Sequence, residues 1–380
     1  MAQRPADAEG AARTMKRFWP LVLLAACAPD ATEDAGTPEA VIDLPPGVHA
    51  RLPEPVSNNA VALASVDGRA MAYSFAGLHA GKTWEDVTAD AYACDLEART
   101  CRDMPGLPDG VGRLASIAAT VNGNVYVFGG YTVAEDGSER STPEVWRFEP
   151  ATETYTRMAD MPVPVDDSVA LTFQDRYVFL VSGWHDTDNV ADVQVYDARQ
   201  NLWFTATDYP GRPVFGHAGG IIGNSLLVCG GVEVVPPETE GGRRSFRRYD
   251  VCWSGEIDPE APWRIDWRVA PNHPGPMPYR AAAAGDPARG TVVFAGGTDT
   301  PYNYDGIGYD GTPALPLDQV IYPRDIAAPR QDAWRMVLRL PGSGTMDHRG
   351  LIVWNGRYFT IGGMDGERNV IADVREIEIP

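Results

Sequence analysis

A two-residue tag recurs along this chain and constrains its fold more than any other feature. An apolar run ends in a small pair with glycine second at Ala76-Gly77, Gly129-Gly130, Ser182-Gly183, Gly230-Gly231, Gly296-Gly297 and Gly362-Gly363. Each tag lies a short strand's length beyond a turn pair: Asp67-Gly68, Asn122-Gly123, Gln174-Asp175, Gly223-Asn224, Arg289-Gly290 and Asn355-Gly356. Asn-Gly and Asp-Gly tolerate positive φ at both positions and so favour two-residue hairpin loops. A unit of about 50 residues repeated six times predicts one array of stacked supersecondary units, not a string of unrelated domains. The clearest copy is Leu114–Met161: a strand, the turn at Asn122-Gly123, a strand Val125–Phe128, the tag, a loop, a strand Val145–Glu149, and a last strand from Tyr155. The 39 glycines and 32 prolines fall between these runs, as the turns of an all-β chain require.

With four strands, a diglycine after the second and an aromatic residue opening the fourth, each unit resembles a blade of the kelch family. The resemblance covers residues 48–380 and implies an all-β, six-bladed kelch-type β-propeller. The last unit stops at Ile379 after its third strand. Its missing strand is expected from Val48–Pro53, whose proline-terminated form matches Met104-Pro105, Met161-Pro162 and Leu340-Pro341. The ring is then closed by an N-terminal strand, which leaves only short, protected edges.

The N-terminus has a separate message. Met15-Lys16-Arg17 leads into the apolar run Leu21–Ala26, which is too short to span a bilayer and ends at Cys27. Leu24-Ala25-Ala26-Cys27 resembles the lipobox of bacterial lipoproteins and implies cleavage before Cys27 and lipidation of its sulfur. The expected organisation is a signal peptide over 1–26 (true start at Met15), a lipidated cysteine and flexible tether over 27–46, and the propeller over 47–380. Export to the bacterial envelope follows, at the periplasmic or outer-membrane face, with the lipid anchor as the only membrane contact. A net charge of −20 excludes nucleic acid as a partner, because phosphate binding needs a basic surface.

On the kelch pattern the third and fourth strands carry an aromatic pair seven positions apart, Phe148 with Tyr155 and Tyr196 with Trp203. The first unit has Cys94 and Cys101 at those places, so the resemblance implies a disulfide there and a second between Cys229 and Cys252. Cys27 is left as the odd cysteine. No paired CxxC spacing exists, and neither a metal nor another cofactor is expected.

In a propeller the loops entering each first strand and leaving each second strand share one face. Candidate ligand-binding residues there are Arg113, Asp167, His185, His217, Arg280, Tyr304, Asp305, His348 and Arg349, with the alternative that arginine and histidine at kelch strand entrances only brace neighbouring loops. Two insertions add to this face. Thr298–Asp318 mixes tyrosines with carboxylates and amides, as a sugar site needs, and Val232–Tyr249 holds Glu233, Glu238, Glu240, Arg243, Arg244, Arg247 and Arg248. Arginines clustered in so acidic a chain can grip a carboxylate bidentately.

Export, six blades and disulfides most resemble the bacterial sialic-acid mutarotases of the N-acetylneuraminate epimerase type. That resemblance implies catalytic roles for Glu233 with Arg243 and Arg244. The glutamate stands two positions after the glycine here, where the family has it directly following. Three functions are therefore expected in order: binding of a carbohydrate or protein ligand on the polar face, sugar anomer interconversion, and, remotely, a galactose-oxidase-like copper enzyme. The last needs a cysteine free to cross-link to tyrosine, and the non-lipid cysteines are all taken by the expected pairs.

Overall fold

Short alternating strands and left-handed turns build six four-stranded antiparallel sheets in the computed structural model, which describes residues 44–237, 239, 244–271, 275, 278–326, 334–339 and 342–379. The innermost strands of the six blades are Ala60–Val66, Ile117–Val121, Val169–Phe173, Ala218–Ile222, Ala282–Asp286 and Ile352–Trp354. They surround a central channel, and the second and third strands follow outward. The fold is all-β, a six-bladed propeller, as the repeat predicts. The expected signal peptide, Met15, Cys27, Glu238, Glu240, Arg243 and Leu340-Pro341 lie outside the described residues.

Closure is by the N-terminal strand. Val48–Arg51 pairs antiparallel with Asp373–Ile377 and supplies the outermost strand of blade 6. The same strand is tied to blade 1, since His49 Nε2 lies 2.8 Å from the Leu96 carbonyl and Arg99 donates to the His49 carbonyl at 3.0 Å. Val48, His49, Ala50 and Leu52 are all buried.

The blades adhere through the residues that mark the repeat. Phe148 stands opposite Tyr155 and Tyr196 opposite Trp203, and Cys94 stands opposite Cys101 in the same register. Phe148 packs edge-on against Tyr73 and Phe75 of blade 1, and Tyr196 packs in the same way against Phe128 of blade 2. In blade 1 the Cys94–Cys101 disulfide takes this place and packs into the cluster with Phe359 and Ile361 of blade 6. The second disulfide, Cys229–Cys252, joins directly opposed residues of blade 4.

The tag has a steric cause. Both of its residues have positive φ in all six blades, from Ala76 and Gly77 to Gly362 and Gly363. A Cβ on the second residue would meet the carbonyl oxygen of the segment entering the first strand: Leu114 at 2.7 Å from Gly130, Asp166 at 2.8 Å from Gly183, Phe215 at 2.9 Å from Gly231. Only glycine fits the second place, whereas alanine or serine is accommodated at the first.

Deleting residues 45–55 removes one ladder of blade 6 and four buried side chains. It is expected to cost about 5 kcal/mol or more, read as a lowered denaturant midpoint; a midpoint equal to that of the parent chain would refute closure by this strand.

Candidate functional site

Each tag folds back onto the segment that enters the first strand of its own blade. The bridges are Ser57–Leu78, Leu114–Tyr131, Asp166–Trp184, Phe215–Val232, Tyr279–Thr298 and Met346–Met364. The two sets of loops therefore do share one face. The next residue of each entering segment is left-handed: Asn58, Ala115, Asp167, Gly216, Arg280 and Asp347, with φ between 48° and 71°. From these positions a ring of backbone hydrogen bonds runs from blade to blade. Ala115 N–H donates to the Asn58 carbonyl (3.0 Å), Asp167 to Ala115 (3.1 Å), Gly216 to Asp167 (2.8 Å), and Arg280 to Gly216 (2.8 Å). His348 donates to Arg280 (3.1 Å) and Asn58 to Asp347 (3.3 Å), which closes the circle.

Side chains from this ring meet across the axis. Arg280 donates to Asp167 at 2.6 Å and to Asp347 at 3.3 Å. Arg349 contacts Asp167 at 2.7 Å and also donates to Asn58, while Asn58 and the Tyr302 hydroxyl both donate to Asp347. Every side chain in this set is at most 3% exposed. The Arg280 guanidinium also lies over the rings of Tyr279 (4.9 Å) and Tyr302 (5.0 Å). Burial opposes its charge, but Asp167, Tyr279 and Asp347 outweigh that and raise its pKa well above the ordinary value. Two arginines balance two aspartates, so this plug is close to neutral.

Hairpins after the tags build a recess above the plug. Blade 2 adds Tyr131–Val133 paired with Glu139–Ser141, blade 3 adds Trp184–His185 paired with Asp188–Asn189, and blade 4 adds Val232–Val235 paired with Ser245–Arg248. Tyr309 of the long blade 5 loop stacks on Phe246 with ring centres 4.0 Å apart. Arg244 lies over Trp184 at 4.7 Å and donates to the Thr187 carbonyl. Glu139 and Tyr309 both reach solvent, yet the protein around them limits hydration and raises both pKa values, with Arg280 opposing each shift. Asp166 is buried with Ser141 Oγ donating to its Oδ2 at 2.7 Å, and burial followed by the neighbouring Asp167 charge raises its pKa well above the carboxylate range.

Beneath the plug the channel holds a cavity of about 250 Å³ walled largely by alanine, glycine and small branched residues, with His217, His348 and Arg349 among its lining. His217 Nε2 lies 2.8 Å from the Val181 carbonyl and His348 Nε2 lies 2.9 Å from Thr345 Oγ1. Burial lowers the imidazole pKa values to about 4 and about 3 respectively.

The predicted residues thus divide. Asp167, Arg280 and Arg349 meet in the plug, and His217 and His348 face the channel below it. Tyr304 packs against the apolar cluster of the recess, and Asp305 Oδ1 accepts from the Ile307 N–H within its own loop. His185 is tied to the Pro164 carbonyl at 2.7 Å. Arg113 is not brought to the mouth: it is 1% exposed and pairs with Asp109 and Glu144, which secures the approach to blade 2. Glu233 is buried between Arg212 (2.8 Å) and Arg247 (2.6 Å), each holding one carboxylate oxygen. Glu139, Ser141 and Phe246 were not expected. The strands that carry them, Glu-Arg-Ser at 139–141 and Ser-Phe-Arg-Arg at 245–248, show no apolar–polar alternation long enough to read without the fold.

A closed ring of six blades, with one end of its channel plugged and overhung by hairpins, defines a propeller with one face built from the loops after the second strands. Residues 118–162 match the kelch motif, and the chain is a kelch-repeat β-propeller. Kelch-like protein 15 of Gallus gallus is 31% identical over 151 residues, 36% of this chain and 30% of that protein. The chain thus spans about a third of the length of that relative. N-acetylneuraminate epimerase of Salmonella arizonae is 22% identical over 290 residues, 66% of this chain and 69% of the epimerase. The solved structure of YjhT superposes with a TM-score of 0.66 at 16% identity, covering 87% of this chain and 96% of that one, a likeness of fold.

Two outcomes follow. Arg280→Ala leaves Asp167 and Asp347 buried with less compensation and is expected to cost about 3–5 kcal/mol in denaturant unfolding. The two histidines take up protons in the unfolded chain below about pH 6.5 but stay neutral in the fold until about pH 4 and 3. Stability should therefore fall as pH drops from 6.5, by about 2 kcal/mol per imidazole at pH 5, and His217→Gln should flatten the dependence.

Proposed function

We propose that the loop-face recess binds a carbohydrate. The observation that carries this reading is the Phe246–Tyr309 stack, which offers an aromatic face at 42% exposure of Tyr309 beside a carboxylate (Glu139) and a guanidinium (Arg244). A sugar ring needs one apolar face to stack on and charged or polar partners for its hydroxyls, and Arg244 adds a preference for a sugar carboxylate. A protein ligand on the same face is the alternative that the kelch-like relatives suggest. We further place the protein, by its lipobox, in the bacterial envelope through lipidated Cys27; radiolabelled palmitate should enter the wild type and not Cys27→Ser.

The second reading is anomer interconversion of a reducing sugar. It is favoured by the epimerase relative, whose similarity spans about two thirds of both chains. On this reading the sequence points to Glu233, Arg243 and Arg244; Arg243 lies outside the described residues, and Glu233 already has an arginine on each oxygen.

Binding is checked by saturation-transfer NMR with N-acetylneuraminate and with neutral reducing sugars. Tyr309→Ala should weaken binding of both by about 10-fold, the loss of about 1.4 kcal/mol of stacking. Arg244→Ala should weaken only the acidic sugar. No saturation transfer to any sugar from the wild type would remove the carbohydrate reading.

A further inference from the structure

Eight carboxyl side chains are buried among the described residues, and seven of them, from Asp95 of blade 1 to Asp373 of blade 6, lie within 4 Å of an arginine. Asp166 is the exception. Its one hydrogen-bonding partner is a neutral hydroxyl, that of Ser141, and no bond is made to its Oδ1. Ser141 and Glu139 are two positions apart on one short strand, so their side chains leave it on the same side. That spacing brings Glu139 to roughly 7 Å from Ser141 along the strand, near enough for its charge to act on Asp166. Glu139 itself makes no ion pair or side-chain hydrogen bond among the described residues.

We propose that Glu139 is the catalytic base of this recess and that the buried Asp166 carboxyl positions it through Ser141. The inference rests on the anomer-interconversion reading and replaces Glu233 in it. In the step required, a Glu139 oxygen takes the proton of the anomeric hydroxyl. The carbon–oxygen ring bond breaks as the carbonyl forms, and its electron pair stays on the ring oxygen. Protonated Glu139 then delivers the same proton to that oxygen. Rotation about the bond to the carbonyl carbon and the reverse sequence close the ring on the other face, so no external reactant is needed.

The groups facing Glu139 set its proton affinity: Asp167 and Arg280 in the plug, Arg244 across the recess, Tyr131 opposite Ser141, and Tyr304 and Tyr309 of the blade 5 loop. A neutral Asp166 adds no charge to this set. It holds the Ser141 end of the strand in place, and Asp186 N–H donates to the Ser141 hydroxyl from the other side at 3.0 Å.

The test uses the mature chain and proton NMR of freshly dissolved N-acetylneuraminate and glucose between pH 4 and 8. Glu139→Gln should slow protein-catalysed interconversion at least about 100-fold, within the range for losing a general base, while saturation transfer from bound sugar persists. The wild-type rate should decline as pH falls through the raised pKa of Glu139. Asp166→Asn, a neutral isostere, should leave both rate and pH midpoint nearly unchanged, whereas Asp166→Leu should lower the rate without shifting the affinity of the sugar. A rate that survives Glu139→Gln but not Glu233→Gln overturns this assignment alone. A midpoint that moves down in Asp166→Asn shows an ionised Asp166 and overturns its role. A wild type that accelerates neither sugar overturns the interconversion reading and this inference together.

Discussion

The circle of backbone hydrogen bonds through Asn58, Ala115, Asp167, Gly216, Arg280 and Asp347–His348 is the constraint from which the rest of the structure follows. Each link needs a left-handed residue, and five of the six are not glycine. A non-glycine residue pays about 1 kcal/mol or more for that conformation, and the surrounding structure over-determines it. The bridges to the tags fix the residue on one side, and the next blade's N–H fixes its carbonyl on the other. A side chain at such a position has nowhere to go but the axis. Asp167 of blade 3 and Arg349 of blade 6 belong to opposite sides of a six-membered ring, and their 2.7 Å contact crosses the channel.

Placing charges there limits which charges can be used. A buried ion pair gains little net stability unless its geometry and remaining hydrogen bonds are good. Arginine meets that demand because one planar guanidinium serves two carboxylates, as Arg280 does, while its faces rest on Tyr279 and Tyr302. An ammonium offers a single point and no such faces. Lys82 is the one lysine among the described residues, and it stands at the rim, where it donates to the Arg368 carbonyl at 2.9 Å.

Much of the scaffold was legible in the sequence because it is written in backbone requirements that only a few residues meet. The six tags, the turns such as Asn122-Gly123, the closing strand from Val48 and the cysteine pair standing in for an aromatic pair all have that character. The face of the molecule bearing Asp167, Arg280 and Arg349 was legible too, since it follows from strand order. What was not legible is how those residues divide their partners. Nothing local to Arg113 says that Glu144 joins Asp109 in engaging it, and nothing near Glu233 in the chain announces Arg212. The pairings with Glu144 and Arg212 join separate segments, and the choice among neighbouring acids depends on a few ångströms of loop path.

That division separates residues that can do chemistry from those that cannot. A carboxylate fixed between two guanidiniums, like Glu233, has both oxygens occupied by charge-assisted hydrogen bonds. It is suited to hold the blade 4 hairpin, whose root the Cys229–Cys252 disulfide also closes. A carboxyl without an arginine, beside another acid, has an affinity for protons nearer to neutrality and can exchange them. In this propeller seven of the eight buried carboxyls lie within 4 Å of an arginine, and the eighth, Asp166, bonds instead to Ser141 on the hairpin of blade 2. On the proposed assignment, reactivity depends on which acid the arginines do not hold, a property of the ring as a whole and not of any one motif.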